Sequence, residues 1–138
     1  MRRSIGFYAA AIAFATLVVV GCNDQAVAEN GVIRQCRMMQ EKTPEQSLGG
    51  AAECQCVATK FKALLTDDHY AILDDYNAAL VDVAAARPGL RGPEINARAL
   101  KYVSEKRSES PSIIVAEMNA FSGVTSIAYQ LCSVFPAQ

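Results

Sequence analysis

Two cysteines separated by a single residue, Cys54-Gln55-Cys56, are the sharpest chemical feature of this 138-residue chain. Thiols this close exchange disulfides when one has a lowered pKa, as at a helix start, which makes the pair a candidate redox centre. Cys36 and Cys132 offer the opposing explanation, because they supply one partner for each. With Cys22 set aside, an even count of four cysteines in an oxidising compartment reads as two disulfides. A Cys54–Cys56 bridge is disfavoured, since residues two apart in regular structure point in different directions and disulfide geometry is narrow. Cys36 is therefore expected to join one member of the pair and Cys132 the other, with the choice between the two connectivities open. A bridge to Cys132 closes a loop of about 80 residues, worth roughly 4 kcal/mol in the chain-entropy model. No thioredoxin-like βαβ pattern surrounds the pair, so the structural role is preferred to the redox one.

Other catalytic sets are weaker. His69 is the sole histidine, flanked by Asp67 and Asp68, with Asp74 and Asp75 one to two turns further on. A zinc site needs three or four convergent ligands, and neighbours along one helix do not all converge. The acidic residues suit a helix start without any metal. No Gly-x-Ser-x-Gly nucleophile elbow occurs in the sequence. The expectation is a chain with no catalytic residues, no metal and no cofactor.

Helices must position these residues, because apolar spacing is helical and hairpin signals are missing. A first helix is expected from about Asn30 to Lys42, with Val32, Ile33, Cys36 and Met39 on one face. A turn-rich connection follows, with Pro44, Gly49 and Gly50. The second helix, about Ala51 to Leu65, carries Cys54, Val57, Phe61, Leu64 and Leu65 on its stripe and Cys56 on its flank. Thr66 caps a third helix whose buried stripe is Ile72, Leu73, Tyr76, Ala79, Leu80 and Val83. Arg87-Pro88-Gly89 stops it, and Gly92-Pro93 opens a fourth helix that reaches about Glu109, with Ile95, Ala99, Tyr102 and Val103 inward. Ser110-Pro111 starts a fifth helix, expected to extend to about Val134. Ile114, Met118, Phe121, Thr125, Ala128 and Cys132 recur along it at core spacing.

Two features could mark surfaces. Asp68, Asp75 and Asp82 recur every seven residues on one face of the third helix, while six basic and two acidic residues lie between Arg87 and Arg107. These sets are expected to be solvated and partly self-paired, with contact between the basic stretch and anionic lipid as the alternative. Ala116, Ala120 and Gly123 form a strip of small residues, expected to accept another helix of the same chain. Tyr70, Tyr76, Tyr102 and Tyr129 fall at or near apolar positions and are expected to be core rather than ligand-lining.

The N-terminus supplies a destination. Arg2 and Arg3 precede an apolar run from Ile5 to Val20 that carries no charge, and Gly21-Cys22 follows. Positive flank, apolar run and small residue are the order of an export signal, and the run is short for a permanent span. Val19-Val20-Gly21-Cys22 resembles the lipobox of bacterial prolipoproteins. That resemblance implies cleavage before Cys22 and acylation of its thiol, palmitate included, which would hold the protein on a membrane. Ala26-Val27-Ala28 is a competing site for an ordinary signal peptidase, which would release a soluble protein beginning at Glu29.

The segments therefore divide into residues 1–21 as signal peptide, 22–29 as tether or extended cleavage region, and 30–138 as one helical domain. The expected fold is all-α, a small four- or five-helix bundle stapled by two disulfides. Half the chain is apolar and the formal net charge is only −1, which gives no basic excess for nucleic acid. The expected role is non-catalytic binding or structural support on the periplasmic side of an envelope membrane, with a protein partner there as one form of it. The alternatives are a thiol-disulfide exchanger using Cys54 and Cys56, or a soluble periplasmic small-ligand binder cleaved after Ala28.

Overall fold

The structure, a computed structural model, describes residues 30–42 and 50–132. The expected signal peptide, Cys22, the expected Ala26-Val27-Ala28 cleavage site, most of the Thr43–Gly50 connection and the expected helix end at Val134 lie outside these residues. All regular structure among them is helical: α1 (Gly31–Lys42), α2 (Gly50–Leu64), α3 (Asp67–Ala86), α4 (Gly92–Arg107), α5 (Pro111–Ala120) and α6 (Ser122–Cys132). The expected all-α, twice-stapled bundle is what forms.

The caps follow local chemistry. Asn30 Oδ1 accepts from the Ile33 N–H at 2.9 Å, and Asp74 of α3 accepts from the Val32 N–H at 3.1 Å. Two of the orphan donors at the start of α1 are thereby satisfied, one of them across the bundle. Thr66 caps α3 through the His69 N–H, and Ser110 caps α5 through the Ile113 N–H. At the end of α4, Ser108 adopts the left-handed conformation with φ 55°, and its N–H returns to the Glu105 and Ser104 carbonyls. This ends α4 two residues before the expected Glu109.

α3 is the hub. α1 lies along it in the same direction, as Gly31 meets Asp74 and Ala78 while Arg34 reaches Asp82. α4 runs antiparallel to α3, and α2 packs against both α1 and α6. Phe61, Ile72, Ile114, Val32, Val57, Val103 and Cys54 are the largest fully buried side chains, so every helix except α6 places one at the centre. α6 buries Ala128 and Cys132 in the core and packs Val124 and Tyr129 partly against it.

The expected fifth helix is two helices. The chain breaks at Phe121, whose φ of −110° and ψ of 11° leave the helical region. The ring of Phe121 is 4% exposed and sits 5.2 Å from the His69 ring, so the break trades backbone continuity for burial of an aromatic side chain. α5 then packs on α3 and α4, while α6 turns to α2. Ile114, Phe121, Ala128 and Cys132 still point inward, as expected from their spacing.

Three apolar assignments do not hold. Met39, Leu64 and Tyr102 were expected inward and are 48%, 46% and 52% exposed. Each lies at the border of its stripe, where the angular position of a residue is decided by how the partner helix is tilted.

Candidate functional site

The cysteine set is the first candidate. Cys36 on α1 bonds Cys54 on α2, with Cα atoms 5.5 Å apart, and Cys56 on α2 bonds Cys132 on α6, with Cα atoms 5.7 Å apart. Cys54, fully buried, faces α1; Cys56, half-buried on the flank, faces α6. The two lie on different faces of one helix, as expected, and the structure decides the connectivity that spacing left open. No dithiol remains at Cys54-Gln55-Cys56: each sulfur is committed to a different helix. The arrangement is a pair of staples through α2, and Phe61 against Tyr129, edge to face at 6.2 Å, continues the α2–α6 contact beyond the second staple.

His69 does not gather ligands. Its ring is half-buried against Phe121, and its N–H serves the Thr66 cap. Among the described residues no group of three or more His, Cys, Asp or Glu side chains is placed to hold a metal ion.

The acidic face of α3 is largely a packing seam. Asp68 pairs with Arg107 at 2.6 Å, Asp75 pairs with Lys106 at 2.7 Å, and Asp82 pairs with Arg34. All three aspartates recurring every seven residues therefore find a cation, two on α4 and one on α1. The hydrogen bond to Asp75 holds the Lys106 ammonium above its ordinary 10.5, against a smaller opposing effect of burial. Arg107 is likewise raised by Asp68. These pairs are solvent-facing, so each is worth about 0–1 kcal/mol and acts mainly on the register of α3 against its neighbours.

The basic residues are divided by this seam. Lys106 and Arg107 are consumed at one end of the bundle. Arg87, Arg91 and Arg98 lie at the other, with Arg34, Arg37 and Lys42 of α1. Between α1, the end of α3 and the following turn is an open groove of about 610 Å³. Its floor is Met38, Val81, Ala84, Leu90 and Ile95, and its rim carries Arg37, Lys42 and Arg87 with Glu41. Sequence reasoning named the Arg87–Arg107 stretch but not the groove, which is made by two helices running in parallel some 45 residues apart in sequence.

The small-residue strip is also placed differently from expectation. Ala116, Ala120 and Gly123 are exposed, and a Cβ built at Gly123 meets nothing within 4 Å beyond its chain neighbours and its own helix backbone. The close helix approach occurs instead at Gly31 against Asp74 and Ala78.

The tyrosines are partly core. Burial raises the phenols of Tyr70, Tyr76 and Tyr129 above the ordinary 10.0, with a further push from Asp74 on Tyr70 and from Glu53 on Tyr129. Above pH 10 the unfolded chain has lost phenolic protons that the folded chain retains, so folding stability falls as pH rises through that window. Urea unfolding at pH 9 and pH 11 is expected to show the loss. Ionisation of all tyrosines at pH 10, followed by ultraviolet absorbance, would contradict it.

No family model, curated protein or solved structure matches the chain. Among the described residues no helix is long and apolar enough to cross a membrane.

Proposed function

We propose that this is an exported, non-catalytic helical module of the bacterial envelope, tethered to a membrane through a lipid on Cys22, with its folded domain on the periplasmic side. One observation carries the reading. The other four cysteines pair with one another in two staples, so Cys22 stands outside the bridging set, directly behind an apolar run with a positive flank. Disulfides of this kind persist in oxidising compartments, which agrees with export. The same pairing weighs against thiol-disulfide exchange, which needs a reactive dithiol rather than two staples. Several acyl chains, at about 0.8 kcal/mol per buried methylene, hold a small domain on a bilayer firmly. In this role the domain acts by what it binds or braces.

Intact mass of the protein after export tests the proposal. The expected species begins at an acylated Cys22. A mass beginning at Glu29 would remove the anchor and leave the soluble binder as the better reading. A mass retaining residues 1–21 would overturn both.

A further inference from the structure

We infer that the outer stripe of α5 and α6, Ile113 with Ala120, Ile127 and Leu131, rests on the surface of a phospholipid bilayer and inserts shallowly among its headgroups. The inference rests on the acylated Cys22 proposed above for the choice of occupant, while the stripe itself is built whether or not that lipid is present. Three observations carry it.

The first is register. Ile114, Phe121, Ala128 and Cys132 are all buried, so the helical register survives the break at Phe121. Ile113, Ala120, Ile127 and Leu131 each precede one of those four by a single residue, and so share a face turned about 100° from the core. Ala120 is exposed, and Ile113, Ile127 and Leu131 are each about half exposed. Of the seven large apolar side chains that stand exposed among the described residues, four lie on α5 and α6, and the other three are scattered over α1, α2 and α4. Val115, the fourth of the set, lies on the α4 side of α5, beside Leu100.

The second is the lack of charge. Among the 22 residues from Pro111 to Cys132, Glu117 alone is charged, and it is half-buried with one carboxylate oxygen shielded from solvent. α4 carries six charged residues in 16. A water-facing surface usually holds roughly a quarter to a third charged residues, so two surface helices with one between them are not shaped for water alone. Ser122, Ser126 and Gln130 are exposed on α6 as well, and uncharged polar groups of this kind suit the level of lipid headgroups.

The third is where the chain to Cys22 is rooted. Asn30 donates to the Tyr70 hydroxyl at 3.1 Å, and Phe121, at the bend between α5 and α6, packs on the neighbouring His69. The root of residues 22–29 and the uncharged bend therefore share the end of the bundle where α3 begins. Eight residues reach at most about 29 Å. Arg87 closes α3 at its other end, about 27 Å from His69 along the helix axis. A lipid on Cys22 brings α5 and α6 to the bilayer with chain to spare, and brings the basic end there only with the chain drawn nearly straight. That reach favours the α5–α6 stripe over the basic end as the lipid contact. Asp67 and Asp68 also begin α3 at the rooted end, so the contact depends on apolar insertion and not on attraction to anionic headgroups.

The test is photolabelling of the exported protein on phosphatidylcholine vesicles, reconstituted through its lipid if acylated and added from solution if not. The probe is a phosphatidylcholine with a diazirine near the glycerol end of one acyl chain. Adducts located by peptide mass spectrometry are expected between residues 113 and 131, at equal yield when phosphatidylglycerol replaces part of the lipid. Ile127→Gln combined with Leu131→Gln, at two exposed positions, is expected to cut the labelling at least about tenfold, because buried apolar area sets the strength of interfacial contact. Tyr102→Gln, at an exposed aromatic on α4, is expected to leave it unchanged. Circular dichroism confirms that each variant folds. Absence of adducts, adducts concentrated on residues 87–98, a requirement for phosphatidylglycerol, or labelling untouched by the α6 variant would each overturn the bilayer contact. So would loss of labelling as protein density on the vesicle rises, the sign of a second copy on the stripe. Intact mass read on the same sample separates the two proposals. An acylated protein that fails to label has the anchor without the lipid-facing stripe, and a protein beginning at Glu29 that still labels has the stripe without the anchor.

Discussion

Replacing Cys56 and Cys132 together with alanine is expected to lower the unfolding free energy by about 4 kcal/mol. The bridge spans a sequence separation of 76 residues, against 18 for Cys36–Cys54. In the chain-entropy model the shorter loop is worth about 3 kcal/mol, so the long staple contributes more through the unfolded state. It also ties down a helix whose buried residues are both small. α6 fully buries only Ala128 and Cys132, packs Val124 and Tyr129 partly against the core and leaves Ile127 and Leu131 exposed, so the bridge reinforces a contact with α2 built on small and half-buried side chains. A loss of that size is a large share of the 5–15 kcal/mol typical of a small domain. Urea denaturation of wild-type protein and of the double variant, both without reductant, measures it. Hydrogen exchange in α6 is expected to accelerate well before exchange in α3. A change below about 1 kcal/mol would mean that α6 is held by contacts rather than by its covalent tie.

The second large effect is expected at Gly31. A Cβ there would stand 2.0 Å from the Asp74 carbonyl oxygen, 2.5 Å from the Ala78 nitrogen and 2.9 Å from the Ala78 Cβ. Two of those atoms are backbone and cannot turn aside, so α1 must move off α3. Moving it stretches the Val32–Asp74 hydrogen bond and the contact between Asn30 and the Tyr70 hydroxyl. Gly31→Ala is therefore expected to destabilise by about 2–3 kcal/mol, the upper part of the overpacking range. Helix propensity alone predicts the opposite sign, a gain of up to about 1 kcal/mol. Gly123→Ala supplies the comparison, since a Cβ there meets nothing within 4 Å and only the propensity gain remains. Thermal melts of the two variants should shift in opposite directions. Equal shifts would show that the α1–α3 approach is looser than the structure has it.

The parity of the four bridging cysteines was legible in the sequence because it rests on a countable feature. The helices were legible as well, since Thr66, Ser110-Pro111 and Gly92-Pro93 act within a turn of themselves. The break at Phe121 was not. Its residues keep core spacing across the interruption, so the periodicity reads straight through a point where burying the ring against His69 outweighs helix continuity. The groove was illegible for a similar reason. Its rim combines Arg37 and Lys42 with Arg87, and nothing in either segment announces the other.

The sequence by itself determined an all-helical, twice-stapled domain, because composition, apolar period and cysteine count are properties of the chain in any arrangement. Which cysteine meets which, which aspartate meets which cation, and where two helices touch backbone to backbone were decided by the tertiary structure alone. Each depends on the relative direction of elements distant in sequence. The parallel run of α1 along α3 sets that direction here, through the one residue, Gly31, with no side chain to prevent it.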